Sequence, residues 1–252
     1  YDEEDRIQYE DGYSITDGVL NLTTDAPLGS DANRISSATA FASYVMYRLK
    51  IRKWTFTPGV RYENINLRRE NFGINDPNRI GTDLTTRENQ VNVFIPGIGM
   101  SYQFNTNLSL FGGVHKGFSP PGSQEGQDPE KSVNYELGSR FNFVGLQGEI
   151  VGFFNDYSNL LGSDLAATGG TGSLDTFNAG EVNVSGLELL LNYDFLKKNE
   201  DYSFPITFGY TYTHTEFQNS FGSNDDLWGT VTAGDAMPYI PTHQFNAGLS
   251  FE

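Results

Sequence analysis

Apolar and polar residues alternate with a period of two along nine stretches of the chain: Ile35–Leu49, Trp54–Arg69, Val91–Phe104, Leu108–Phe118, Ser132–Val144, Leu146–Leu160, Asn178–Phe195, Ser203–Phe217 and His243–Glu252. Period two is the signature of a strand with two different faces. In the second stretch Trp54, Phe56, Pro58, Val60 and Tyr62 share one face, and Thr55, Thr57, Gly59, Arg61 and Glu63 share the other. In the fifth, Val133, Tyr135, Leu137, Phe141 and Phe143 oppose Asn134, Glu136, Gly138, Arg140 and Asn142. In the eighth, Phe204, Ile206, Phe208, Tyr210 and Tyr212 oppose Thr207, Gly209, Thr211 and Thr213. The sixth has no readable phase around Phe153-Phe154. Several stretches far exceed the ~5–6 residues of an ordinary globular strand and suit a tilted wall crossing a bilayer, which needs ~9–11 residues for the hydrocarbon alone. Pro58 and Pro96 fall inside strands, each followed by Gly, and read as bulges.

The connections sharpen this expectation. Short turns (50–53, 105–107, around Gly145, 196–202) alternate with long loops (70–90, 119–131, 161–177, 218–242) without exception. An up-and-down sheet with all its tight turns at one end and all its long loops at the other has this rhythm. Transmembrane β-barrels show it, with short periplasmic turns and long extracellular loops. A soluble sandwich gives turn signals every ~8–12 residues, a much shorter spacing.

Composition agrees. Phe (19), Tyr (14) and Gly (28) are abundant, cysteine is absent, and no run of ~18 apolar residues could form a membrane-spanning helix. The net charge of −16 disfavours nucleic acid as a partner. Residues 1–34 and the four long loops hold 21 acidic and 5 basic residues, which accounts for the entire net charge. One rim is therefore acidic, while Lys50, Arg52, Lys53, Lys197 and Lys198 lie at the other.

The phrases LSLFGGVHKGFSPP, PEKSVNYELGSRFN, GEIVGFFNDYSNLL, NAGEVNVSGLELLLNYDF, FGYTYTHTEF and MPYIPTHQFNAGLSFE follow one another over residues 108–252. In that order and spacing they resemble the later barrel strands of TonB-dependent outer-membrane transporters. IPGIGMSYQF and HKGFSPP are most similar to the ferric dicitrate branch, and the resemblance covers roughly residues 54–252. It implies a 22-stranded barrel around an N-terminal plug domain. It also implies an iron chelate or similar nutrient bound at the extracellular face of a Gram-negative outer membrane and imported with energy from TonB. Neither a plug nor a TonB box is present, and the family continues for several strands beyond Phe251-Glu252. Nine strands cannot close a wide barrel, and an open wall would leave unpaired edges in lipid. The expectation is thus an all-β, antiparallel, partial transmembrane barrel spanning 1–252. Residues 1–34 are expected to be an acidic extracellular loop, with the plug and final strands absent.

Parity places Arg48, Arg61, Glu63, Glu136, Arg140, Glu188 and Asp194 on the polar face. If that face is the lumen, they contact the plug; the alternative is pairing along the wall. A filled lumen favours plug contact. On the long-loop side Arg79, Arg87, Lys131, Gln124 and Gln127 offer donors that could bind a chelate, since guanidinium matches carboxylate geometry. The acidity of those loops opposes attraction of an anion, so a neutral or cationic chelate, or calcium bridging, fits as well. His115 is expected inside the lumen, as a wall hydrogen bond in preference to a ligand contact. His214 and His243 lack ligand spacing, so no metal site is expected. Val114 and Phe118 are expected to face lipid, with Lys116 snorkelling beside them.

No nucleophile elbow, P-loop or zinc-protease motif occurs, Asp225-Asp226 has no apolar pocket, and GGTGSLD at Gly169–Asp175 lacks the lysine and helix of a phosphate cradle. The expectation is no enzyme and no cofactor. The partners are a ferric chelate, the protein's own plug, TonB and outer-membrane lipid. A non-transporting barrel (an adhesin or envelope-complex subunit) and, further off, a soluble carbohydrate-binding β domain are the alternatives.

Overall fold

The structure, a computed structural model, describes residues 1–163, 176–178, 180–196, 202–222 and 230–251. All its regular elements are strands: β1 (Asp2–Gln8), β2 (Gly12–Thr16), β3 (Val19–Thr24), β4 (Ala32–Met46), β5 (Leu49–Ile51), β6 (Trp54–Asn71), β7 (Thr85–Asn105), β8 (Leu108–Ser119) and β9 (Glu130–Phe143). There follow β10 (Leu146–Ser158), β11 (Leu161–Ser163), β12 (Thr176–Asn178), β13 (Val182–Asp194), β14 (Pro205–Phe217), β15 (Phe221–Gly222), β16 (Thr230–Val231) and β17 (His243–Leu249). One antiparallel sheet runs β1-β4-β6-β7-β8-β9-β10-β13-β14-β17, with β5 also on β6; β2–β3, β11–β12 and β15–β16 are separate two-stranded ribbons. Chain neighbours pair with one another, as the alternating short and long connections require. This is an open arc of an up-and-down barrel wall.

Register fixes the two faces, because residues directly opposite one another share a side. On one face Trp54, Phe56, Pro58, Val60 and Tyr62 oppose Tyr102, Met100, Ile98, Pro96 and Phe94. The same face continues through Leu137 and Tyr135 of β9, Gly152 and Phe154 of β10, Leu187 of β13 and Tyr212 of β14. This is the lipid-facing outer side. The opposite, inner side carries Thr57 opposite Gly99, Arg61 opposite Ile95 and Glu136 opposite Gly113. The phase around Phe153-Phe154 is settled: Phe154 is outward beside Tyr135, with ring centroids 6.1 Å apart, and Phe153 is inward opposite Gly186.

The polarity of the two faces exchanges partway up β6, β7, β13 and β14. Above the Tyr62–Phe94 pair the outer side becomes Asn64 opposite Asn92, Asn66 opposite Gln90 and Arg68 opposite Glu88. At the same height the inner side becomes Ile65, Val91 and Val93, which are buried and packed with Leu67 and Ile95. On β13 and β14 the outer side passes from Leu187 and Tyr212 to Ser185 and His214, then to Asn183 and Glu216. The inner side there ends in Val182 and Phe217, buried with Leu160 and Val231. The outer apolar band, Trp54 to Tyr62 on β6, therefore matches the ~9–11 residues a tilted strand needs to cross hydrocarbon, and the strands continue beyond it into water. Aromatic rings mark both margins of the band, as membrane barrels require: Tyr62 and Phe94 above, and Trp54, Tyr102 and Phe104 below.

The structure differs from expectation in four places. Residues 1–34 are not simply a loop: β1 pairs with the upper half of β4, Gln8 opposite Ala32 and Asp2 opposite Ala38, and adds a tenth strand position to the wall. Pro58 and Pro96 do not make bulges, since the β6–β7 register runs through both without a shift. Each instead removes a donor, and at Pro58 half of the rung survives, the Tyr47 N–H donating to the Pro58 carbonyl at 3.0 Å. The β4–β5 strand breaks at Tyr47-Arg48 opposite Pro58, and the β7–β8 pairing stops at Gly97–His115 beside Pro96, whose nitrogen has no proton to donate. A register shift in this wall occurs lower down, between Gln103 and Asn105. Finally, Phe118 packs against the inner Ile65/Val91/Val93 cluster and not into lipid, in the gap left where that β7–β8 pairing ends.

Candidate functional site

The inner face near the middle of the wall is smooth because glycine carries it. Phe111 lies over Gly138, where an added Cβ would come 2.5 Å from its ring and 2.8 Å from the Ile150 carbonyl oxygen. Gly59, Gly97, Gly99 and Gly113 floor a neighbouring depression of about 450 Å³, lined also by Arg61, His115 and Glu136.

The seven polar-face residues divide by what they touch. Arg61 pairs with Glu63 on the same strand. Arg140 pairs with Glu149 on β10 and lies 4.1 Å above the Phe111 ring. Both are committed to the wall. Asp194 closes the β13–β14 turn, accepting from the N–H of Leu196 and of Phe204, each at 3.0 Å. Arg48 sits in the break between β4 and β5 and is exposed. Glu136 and Glu188 are exposed inward-facing carboxylates with no hydrogen bond or ion pair to the described residues. Glu188 shares a depression of about 470 Å³ with Glu149, Thr211, Gln244 and Asn246. His115, expected to hydrogen-bond within the wall, makes no such bond to the described residues and opens onto the glycine-floored depression. His214 and His243 are on the outer side, with His243 Nδ1 2.9 Å from the Tyr210 hydroxyl.

The long-loop residues divide similarly. Arg79 is not available to a ligand. Its Nε donates to Asn33 Oδ1 at 2.9 Å and its Nη2 to the Arg6 carbonyl at 3.1 Å. Nη1 meets Asp5 at 2.6 Å, and the guanidinium lies 5.3 Å from the Phe72 ring. Beside it the buried Asp76 carboxylate accepts from the N–H groups of Ile80, Gly81 and Thr82 at 2.8, 2.6 and 3.1 Å. Asn33 donates to the Gly73 and Asp76 carbonyls, so the loop from Phe72 to Leu84 is bolted onto β1 and β4. Gln127 is used within its own loop, its side-chain oxygen accepting from Gly122 N–H at 3.1 Å, while Asn89 ties that loop to β7.

Arg87 and Gln124 are brought together, lining an open cleft of about 810 Å³ with Thr86, Glu88 and Glu125. Arg87 faces inward directly opposite Arg69, and Arg34 is opposite Asn71 one row higher on the same face. Three guanidinium groups thus stand on three adjacent strands at the long-loop end, each with partners of its own. Arg34 and Arg69 were missed in the sequence reading, although parity alone separates inward Arg69 from outward Arg68, which pairs with Glu88 and Glu70. Among the described residues no group of three or more His, Cys, Asp or Glu side chains could hold a metal ion. Lys197, Lys198, the Gly169–Asp175 loop and Asp225-Asp226 lie outside the described residues.

A ten-position wall with an apolar belt, a polar glycine-smoothed inner face and a donor-bearing mouth has clear relatives. A family model described as "TonB dependent receptor-like, beta-barrel" matches residues 2–252. Among solved structures, the ferric citrate transporter FecA in its unliganded form is 22% identical with a TM-score of 0.65, over 96% of this chain and 34% of that one. The siderophore receptor PiuA from Acinetobacter baumannii is 18% identical with a TM-score of 0.64, over 91% and 32%. The ferric-catecholate import receptor Fiu from K12 E. coli, in a closed form, is 17% identical with a TM-score of 0.64, over 97% and 37%. The chain spans about a third of the length of these structures. It belongs to the TonB-dependent receptor family and is part of that family's β-barrel.

Proposed function

We propose that the chain is the barrel portion of an outer-membrane active-transport receptor that binds a ferric chelate at its long-loop end and imports it with energy from TonB. The observation that carries this reading is the Arg87–Gln124 cleft, set at the mouth of a wall of this family with Arg34 and Arg69 beside it. Guanidinium and amide donors suit the oxygen-rich surface of a chelate. FecA is a ferric citrate transporter, PiuA a siderophore receptor and Fiu a ferric-catecholate receptor, so iron chelates are the substrate class these relatives suggest.

In this reading the short turns are periplasmic, the long loops are extracellular, and Glu136 and Glu188 are the inner carboxylates that meet the plug. The acidic long-loop rim works against long-range capture of an anion. Recognition of an anionic chelate would therefore act at short range through the arginines, whereas a neutral or cationic chelate meets no such barrier. The test is uptake in a strain lacking the receptor, grown under iron limitation and supplied with ferric citrate, a catecholate chelate and a hydroxamate chelate in turn. Restoration by the full-length receptor for one chelate class supports the reading. Growth independent of the receptor on every iron source sinks it.

A further inference from the structure

Residues 32–62 contain no aspartate or glutamate but six cations, in a chain whose net charge is −16. Arg34 faces inward at the long-loop end and Arg61 pairs with Glu63. The other four, Arg48, Lys50, Arg52 and Lys53, gather at the opposite end, around the β5–β6 turn. All four are exposed, and none forms an ion pair with a described residue; Lys50, opposite Thr55, is on the inner side. Lys53 donates to the Phe104 carbonyl at 2.6 Å, which fixes the turn against the end of β7. Arg52 forms the tip with φ +55°.

Directly above this turn lies the lower aromatic margin of the membrane band. Trp54 stacks with Phe56 at 5.8 Å and meets Tyr102 at 4.7 Å, and Tyr102 meets Phe104 at 4.8 Å. Leu49 and Ile51 share the outer side with them, opposite Phe56 and Trp54. Such rings sit at headgroup depth, so the turn lies at or just beyond the plane of the lipid phosphates. Long cationic side chains reach that plane by snorkelling, and each contributes to attraction to an anionic surface.

We propose that Arg52 and Lys53, at the tip of this turn, hold the phosphate groups of anionic glycerophospholipids in the leaflet on the short-turn side. An acidic protein segment is the less favoured occupant, because the turn is continuous with an outward-facing lipid belt. This inference rests on the outer-membrane reading above.

The experiment uses the full-length receptor in nanodiscs of equal phosphatidylglycerol and phosphatidylcholine, released into mild detergent, with retained lipids counted by native mass spectrometry. The expected result is selective retention of phosphatidylglycerol by the wild type, unaffected by millimolar inorganic phosphate. Arg52→Asn/Lys53→Gln lowers that retention at least about tenfold, whereas Lys50→Gln, on the inner side opposite Thr55, leaves it unchanged. Asn tolerates the left-handed backbone at the tip. Heat-modifiable migration of each variant is the control for insertion. Unchanged retention by a properly inserted double variant overturns the inference, as does displacement of lipid by free phosphate or loss of lipid to a co-purifying acidic protein. A wild type that never inserts fails the outer-membrane reading itself, a different and separable result.

Discussion

Arg79 and Asp5 are 74 residues apart in sequence, yet Arg79 Nη1 lies 2.6 Å from Asp5 Oδ1. The pair ties the loop after β6 to the strand that opens the chain. Arg79→Ala removes this contact together with the bonds to Asn33 and the Arg6 carbonyl. Charge-assisted bonds of this kind contribute ~1.5–3 kcal/mol each when shielded, and less here because Asp5 is half exposed. The expected outcome is roughly tenfold or greater acceleration of amide exchange in residues 2–8 and 72–84. Heat-modifiable migration and chelate affinity stay unchanged. A fall in affinity with no change in exchange would return Arg79 to the ligand site.

Arg87 has the opposite prospect. Arg87→Ala should weaken chelate binding by about tenfold or more, the loss of one charge-assisted contact, and leave barrel assembly intact. Arg68→Ala is the matched control, since Arg68 is one residue from Arg69 but points outward to Glu70 and Glu88. Titration of both variants decides the matter: equal effects would mean that inward placement is irrelevant to the ligand.

Depth along a strand sets what a charge does. Leu137 is on the outer side within the apolar band and 66% exposed. Leu137→Arg should destabilise the folded barrel by ~2–4 kcal/mol. Asn66→Arg, also on the outer side but above the exchange of polarity, should change stability by less than ~0.5 kcal/mol. Reversible urea unfolding of the full receptor in lipid vesicles measures both, and equal penalties would refute the assigned position of the membrane.

Glycines of the inner face are not equivalent. A Cβ on Gly186 would lie 2.1 Å from the Tyr212 carbonyl oxygen and 2.6 Å from the Phe153 ring, whereas one on Gly99 meets nothing within 4 Å. Gly186→Val is therefore expected to block assembly, seen as loss of the heat-modifiable band, while Gly99→Ala assembles normally. Normal assembly of the valine variant would show that the β13–β14 pair can move apart at this row.

Much of the wall was legible because lipid on one side and a polar lumen on the other impose strict alternation, as from Trp54 to Glu63. The strand β1 was not legible. It pairs above the membrane band, where neither face meets hydrocarbon, so DEEDRIQ shows no apolar alternation. Polarity exchange is hidden for a related reason: Asn64 and Ile65 reverse the alternation of Trp54–Glu63 while the strand itself runs on unbroken. Phe153 escaped assignment because an inward aromatic, unusual on a polar face, is accommodated by Gly186 across the ladder. The site was less legible still. Nothing local to Arg79 indicates that its partners are Asp5 and Asn33, whereas the pairing of Arg87 with Arg69 needs only the register of two neighbouring strands.

The height at which the faces exchange polarity is a natural seam for recombination. A chimera joined at Tyr62/Glu63 on β6, Val93/Phe94 on β7 and the matching rows of the later strands would trade one receptor's entire water-exposed crown for another's. Each piece would keep the solvent its side chains were selected for. Junctions placed at the ends of the strands would transfer the loops without the inner clusters around Ile65 and Phe217 that hold them, so the seam lies inside the strands.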